Sequence, residues 1–213
     1  MYEVHARLSL EEGDLNEFNQ CQTMIKNITM GMSDKIDSFS IKSLASQRSM
    51  SLKQTNDAAD EFAAYRIIYA LVQKETGDVN KELVFANELM KKQEQLMSIK
   101  KGLCEQMSSC KHSILVARSV IQCDYHSFFI LYDNAPNISA YLMNFLVQRM
   151  QSSAYQRIVS AFRPTVSAEL FRQTLFFHDL EETRQFLKKN KAIFIKEMGD
   201  GGPVFWIDCK ASV

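Results

Sequence analysis

Proline and glycine are scarce in this chain, three and seven among 213 residues. That excludes collagen-like and low-complexity classes and leaves few obligatory helix breaks. Paired cysteines are missing as well. Cys21, Cys104, Cys110, Cys123 and Cys209 are odd in number and scattered, and none forms a C-x-x-C pair. Neither a disulfide framework nor a structural zinc site is expected, and reduced thiols in a nucleus or cytosol are. Charge of one sign is not in excess, 25 basic against 25 acidic side chains. No apolar run approaches ~18 residues, so no transmembrane helix and no membrane role are expected. Met1 leads into "YEVHARL" rather than a basic and then apolar leader, so no secretory signal is expected. A Gly-rich phosphate loop is also lacking, because "GDGG" (Gly199–Gly202) lies between two apolar runs and precedes no helix.

What is present favours helix. Apolar residues make up 46% of the chain, with 11 Met, and Leu, Ala, Lys and Gln are frequent. The length suits one large or two small domains with a proper core. The neutral total conceals a split. Residues 1–82 carry 9 basic and 13 acidic side chains, whereas 155–196 carry 8 and 4. Such a split can mark a basic contact surface.

"GDLNEFNQCQ" (Gly13–Gln22) packs two carboxylates, several amides and a thiol into ten residues. A structural reading is available for each. Gly13 breaks the first helix, Asp14 caps the second, and Glu17 is spaced to complete a capping box. Phe18 and Cys21 fall on the inward face. The pattern returns at Gly77-Asp78 before Leu83 and at Cys123-Asp124 before Phe128. Each follows an apolar helix and starts another, as in stacked helical hairpins.

"SDKIDSFSIKSLASQRSMSLKQ" holds seven serines, and residues 29–56 read as a flexible insert. "EFAAYRIIYALVQKE" is apolar around most of its circumference and belongs between neighbours. "NISAYLMNFLVQRM" is amphipathic, and the helical part closes at Pro164. Beyond it come "SAELFRQTLFF", capped by Ser167, then "DLEETRQFLKKN", then "AIFIKE" and "PVFWID" flanking glycines as a hairpin. Short helices followed by a hairpin describe a winged helix. The expected division is a helical-repeat platform over 1–164 and a winged helix over 165–213.

These blocks carry a resemblance. "YEVHARLSLEEGDLNEFNQCQTMIK", "EFAAYRIIYALVQKETGDVNKEL", "YHSFFILYDNAPNISAYLMNFLVQRMQSSAYQRIVSAFRP" and the terminal "WIDCKAS" together resemble the Sac/GANP family of PCI-domain proteins. They are most similar to its Thp-three and leukocyte receptor cluster member eight branch. The resemblance implies a mainly α fold, with TPR-like helical hairpins ending in a winged helix with a small β-hairpin. It implies a non-enzymatic nuclear scaffold in messenger RNA processing, transcription elongation or export. Its partners would be a second PCI-domain protein and a small acidic Sem/DSS-type protein, with RNA or DNA contact. No cofactor is implied. Family members carry further helices before the "YEVHAR" helix, so the chain is expected to be N-terminally shortened, with Val4, Leu8 and Leu10 partly uncovered.

Candidate sites follow. Cys123, Asp124 and His126, or Cys104, Cys110 and His112, have no recurring metal spacing and read as structural. Arg184, Lys188 and Lys191, spaced four and three apart, would share an outer face, with Lys189 beside them and Lys196 on the wing. Arg157 and Arg163 could extend this basic patch, which fits phosphates. The same lysines equally suit a solvated helix C-terminus. Phe205, Trp206 and Ile207 alternate across a strand, and an uncovered aromatic face there would suit partner binding. For the acidic peptide, Lys91, Lys92, Lys100 and Lys101 are candidates. A structural lid subunit of the proteasome or signalosome type, without nucleic-acid binding, is the alternative reading.

Overall fold

The computed structural model describes residues 1–36, 49–74, 76–97, 108–199 and 202–212; the side chains at 29–36, 49–57, 76, 89, 92–97, 196–199 and 202–204 lie outside this set. The elements are α1 (Tyr2–Glu11), α2 (Leu15–Ile36), α3 (Ser49–Gln73), α4 (Thr76–Met97), α5 (Ser109–Gln122), α6 (Tyr125–Asp133), α7 (Ser139–Ala161), β1 (Thr165–Ser167), α8 (Ala168–Thr174), α9 (Leu180–Lys189), β2 (Phe194–Gly199) and β3 (Gly202–Asp208). The chain is mainly helical with a small three-stranded sheet of order β1-β3-β2. None of the described helices is long and apolar enough to cross a membrane.

Two of the three expected corners are built alike. After α1, Gly13 adopts φ +75°. Its N–H donates to the Leu10 carbonyl at 3.2 Å, and the Asp14 N–H reaches back to Ser9 at 2.8 Å. After α5, Cys123 adopts φ +53°, with bonds to Val120 at 3.2 Å and from Asp124 to Ser119 at 2.8 Å. Both corners thus close with a left-handed residue and the same pair of back-bonds, the Schellman arrangement. Asp14 Oδ1 accepts from the Asn16 and Glu17 N–H groups, each at 3.0 Å, and Asp124 Oδ1 from Ser127 at 3.1 Å. Hydrogen bonds from Ser127, its side chain first and this N–H second, hold the Asp124 carboxyl below its ordinary value. Phe18 and Phe128, four residues after each cap, are fully buried, worth roughly 2–3 kcal/mol apiece in transfer from water.

The middle corner is different. The left-handed residue there is Lys74, φ +61°, whereas Gly77 and Asp78 lie inside the first turn of α4. Glycine composition misplaced the break by three residues. Glu17 also departs from the expected capping box, its carboxylate turning to His5 and Cys21 instead. The insert expected over 29–56 is helical at both ends, since α2 runs to Ile36 and α3 starts at Ser49. Met and Lys favour helix and Ser opposes it only mildly, so tertiary context decides there. Residues 37–48 lie outside the described set.

The chain divides into two compact units, Met1–Ala117 with Asn134–Phe145, and Arg118–Asp133 with Leu146–Val213. Pro164, where the expected platform ends, falls inside the second unit by this division. In the first unit, α1 packs on α2, α2 on α3, and α3 on α4. From Phe62 on, α3 is apolar around most of its circumference, and Phe62, Tyr65, Ile67 and Ile68 are each fully buried. Two carboxylates tie the helices together. Glu61 of α3 accepts from Arg7 of α1 in a fork, at 3.0 Å and 2.6 Å. Glu82 of α4 accepts from Lys26 of α2 at 2.5 Å and from Arg66 of α3 at 3.0 Å. Both of those cations lie over the Phe85 ring. Asp60 caps α5 from outside, accepting from Ser108 Oγ at 2.7 Å and the Ser109 N–H at 2.8 Å. Of the α1 face expected to be uncovered, Val4 and Leu8 are exposed and Leu10 is buried.

The second unit is organised around aromatics. Tyr155 of α7 meets Phe171 of α8 and Phe186 of α9, and Phe186 meets Phe177. Ser167 caps α8 through its hydroxyl, as expected. Asp179 caps α9, accepting from the Glu182 N–H at 2.6 Å, while the Glu182 carboxylate accepts from the His178 N–H at 3.0 Å. β3 is the central strand, with Val166 and Phe194 both opposite Ile207. The third strand, β1, was not foreseen: three residues beside Pro164 are too few to show a period. The terminal "IDCKAS" forms a turn in which Asp208 Oδ1 accepts from the Lys210 and Ala211 N–H groups.

Candidate functional site

The aromatic strand is resolved into three different environments. Ile207 is fully buried. Phe205 is half-buried and lies under the Arg184 guanidinium, 4.1 Å from the ring centroid. Trp206 is half-buried too, but alternation turns it to the other face of the sheet. There it pairs with Ser167 on one side and Ile195 on the other. Ile193 and Ile195 are exposed, at 48% and 37%. The aromatic residues therefore sit on the middle strand, not on an edge, and the uncovered apolar surface is the outer sheet face of Trp206, Ile195 and Ile193. Phe205 and Ile207 instead hold the sheet onto α9 and the core.

The seven cations separate as well. Arg184 is engaged: beyond the Phe205 ring it contacts Glu181 at 3.4 Å, and its buried Nε finds no acceptor among the described residues. Arg157 donates to the Gln122 carbonyl at 3.3 Å. Arg163 donates to the carbonyls of Val159 and Phe162, each at 2.8 Å, closing the C-terminus of α7. Lys188, Lys189 and Lys191 are exposed and have no ion pair among the described residues. Lys191 lies beyond the end of α9, in a left-handed conformation, φ +61°. The bonds from Lys191 to Lys188 and from Ala192 to Leu187 close the helix there, so the four-and-three spacing does not continue as one helical face. Lys196 is opposite Phe205 in the sheet, and its side chain lies outside the described residues. The three exposed lysines cluster at the end of α9, while Glu181 and Glu182 occupy its first turn.

Lys91 is exposed; the side chains of Lys92, Lys100 and Lys101 lie outside the described residues. Of the two thiol groupings weighed from sequence, Cys104 lies outside them too. Cys110 is buried, and its S–H donates to the Asp60 carbonyl at 3.3 Å. Burial and then the nearby Asp60 carboxylate raise that thiol far above its ordinary value, the environment of a structural cysteine. Cys123 serves the corner.

One grouping was missed. His5 Nε2 is 3.5 Å from Glu17 Oε1, and Cys21 Sγ is 3.8 Å from the same oxygen. Only the closed hairpin brings His5 of α1 beside Glu17 of α2, and Cys21 follows Glu17 by one helical turn.

No family model matches the chain. It is similar to three curated proteins. The leukocyte receptor cluster member 8 homolog of Xenopus laevis is 29% identical over 213 residues, all of this chain and 22% of the relative. The THP3 homolog of Schizosaccharomyces pombe is 29% identical over 194 residues, 91% of this chain and 40% of the relative. The SAC3 family protein A of Arabidopsis thaliana is 27% identical over 177 residues, 83% of this chain and 14% of the relative. The chain thus spans well under half the length of each of these relatives.

Proposed function

We propose, from the premise that the chain belongs to the Sac3/Thp3 family, that it is a non-enzymatic scaffold subunit. In this reading it acts in the nucleus, in messenger RNA processing, transcription elongation or export. Its C-terminal region is a winged helix of the PCI type. It pairs with a second PCI-domain protein and a small acidic Sem/DSS-type protein, and it contacts nucleic acid through the winged helix.

The observation that carries the pairing is the outer sheet face, where Ile193, Ile195 and the half-buried Trp206 leave apolar surface uncovered. Fully desolvated aromatic and aliphatic anchors dominate such interfaces. The nucleic-acid limb rests on Lys188, Lys189 and Lys191 alone, since the arginines are engaged within the fold. That restriction favours the second reading, a structural lid subunit of proteasome or signalosome type without nucleic-acid binding.

Co-expression with candidate PCI partners tests the first limb. Ile195→Glu combined with Trp206→Ala should abolish co-purification while the chain keeps its helical circular dichroism. A complex that survives both changes refutes pairing through this face. RNA binding by the assembled complex, at two salt concentrations, tests the second limb. Changing the three lysines to Glu should weaken binding at least tenfold. Unchanged affinity decides for the lid-type reading.

A further inference from the structure

We propose that His5, Glu17 and Cys21 form a three-donor site for a borderline transition-metal dication of the zinc class, with its fourth position open to solvent. Their ligand atoms all lie within 4.8 Å of one another, on two helices of one hairpin. A tetrahedral zinc ion with bonds of about 2.0–2.3 Å sets its ligand atoms about 3.4–3.6 Å apart. The His5–Glu17 separation of 3.5 Å and the Cys21–Glu17 separation of 3.8 Å meet that demand within tenths of an ångström. The remaining adjustment falls on His5, whose side chain is 53% exposed and can turn.

The donor set selects the metal. One imidazole, one thiolate and one carboxylate suit zinc, cobalt or nickel, and they are poor company for magnesium or calcium, which need several oxygens. The charges balance, because a thiolate and a carboxylate together offset a dication while the imidazole stays neutral. The frame is fixed. Glu17 and Cys21 are one turn apart on α2, Gly13 and Asp14 close the hairpin, and the Arg7–Glu61 fork fastens α1 to α3. Cys21 would bind as its thiolate, so its proton leaves to solvent on binding.

The test uses the whole chain, kept reduced, titrated with Co²⁺ alone and then with Zn²⁺. Expected are a sulfur-to-cobalt charge-transfer band, intense tetrahedral visible bands, release of about one proton per ion, and bleaching by Zn²⁺. Cys21→Ser should remove the charge-transfer band, and the surface change His5→Gln should weaken Co²⁺ binding at least tenfold with the fold intact. Cys123→Ser, at the other corner, should leave the spectrum unchanged. Should Cys21→Ser fail to fold, His5→Gln still decides. No band at saturating Co²⁺, a band retained in folded Cys21→Ser, or undiminished affinity in His5→Gln would each overturn the proposal and leave a hydrogen-bonded cluster.

Discussion

Replacing Glu61 should unfasten the first unit, and the size of the effect follows from the three bonds its two partners make. Arg7 grips the carboxylate through two nitrogens, and its side chain is 34% exposed against 11% for Glu61. Tyr65, fully buried, donates to the same carboxylate at 2.6 Å and accepts from the Ile138 N–H at 3.3 Å. Removing one partner of a buried ion pair costs about 3–5 kcal/mol, but Arg7 retains water and lowers that figure. An orphaned buried phenol adds about 1–3 kcal/mol. Glu61→Ala should therefore cost about 3 kcal/mol, and Glu61→Gln, which keeps an acceptor for Tyr65, about 2 kcal/mol. In a chain of this length 3 kcal/mol lowers Tm by about 6–12 °C.

The pH dependence separates this mechanism from simple loss of packing. Burial pushes the Glu61 carboxyl up, but the bonds from Arg7 and Tyr65 outweigh it, so the net shift is downward. A depressed carboxyl stabilises above its unfolded pKa, and that contribution is lost as pH falls through the folded value. Urea denaturation should show the full wild-type advantage over Glu61→Gln from pH 7 down to about pH 5, shrinking below about pH 4. A cost under about 0.5 kcal/mol at pH 7, or a difference unchanged at pH 3, would refute the reasoning.

The two like-built corners should respond oppositely. Gly13→Ala should destabilise by about 1 kcal/mol, because no side chain obstructs it but φ +75° disfavours a Cβ, and Cys123→Gly should stabilise by a few tenths to about 1 kcal/mol in urea melts. Asp60→Ala should cost about 2 kcal/mol by uncapping α5, seen as faster amide exchange at its first turn. Arg184→Gln should lower stability by about 1 kcal/mol through loss of the Phe205 contact yet leave nucleic-acid affinity nearly unchanged.

Local chemistry was the readable part of this fold. Asp14, Asp124 and Ser167 cap helices because short oxygen-bearing side chains satisfy free N–H groups wherever a helix starts, and that rule needs no tertiary knowledge. The Lys74 break was not readable, since a left-handed lysine carries no compositional mark. The same holds for Lys191 at the end of α9. The aromatic strand was recognised, but its position was not: a period of two separates Phe205 from Trp206 without saying that β1 will pair on the far side. The His5–Glu17–Cys21 cluster was obscured for a related reason. Each residue had an adequate local role, and only the closed hairpin shows them meeting.

The charge split of the sequence overstated what a polyanion would meet. Of the cations between residues 155 and 196, Arg157 and Arg163 answer backbone carbonyls, Arg172 forks onto Glu169, and Arg184 lies on Phe205. Three exposed lysines at the end of α9 remain, Lys196 lying outside the described side chains. Those three also face the negative end of a helix dipole, which partly satisfies them already. Each phosphate neutralised contributes about −0.7 to the logarithmic salt slope on single strands and −0.9 on duplex. This surface should therefore give a slope no steeper than about −2 on single-stranded RNA and about −3 on duplex, with little sequence preference. A filter-binding series across salt concentrations measures it directly. A markedly steeper slope that persists after Lys188, Lys189 and Lys191 become Glu would move the contact away from α9 altogether.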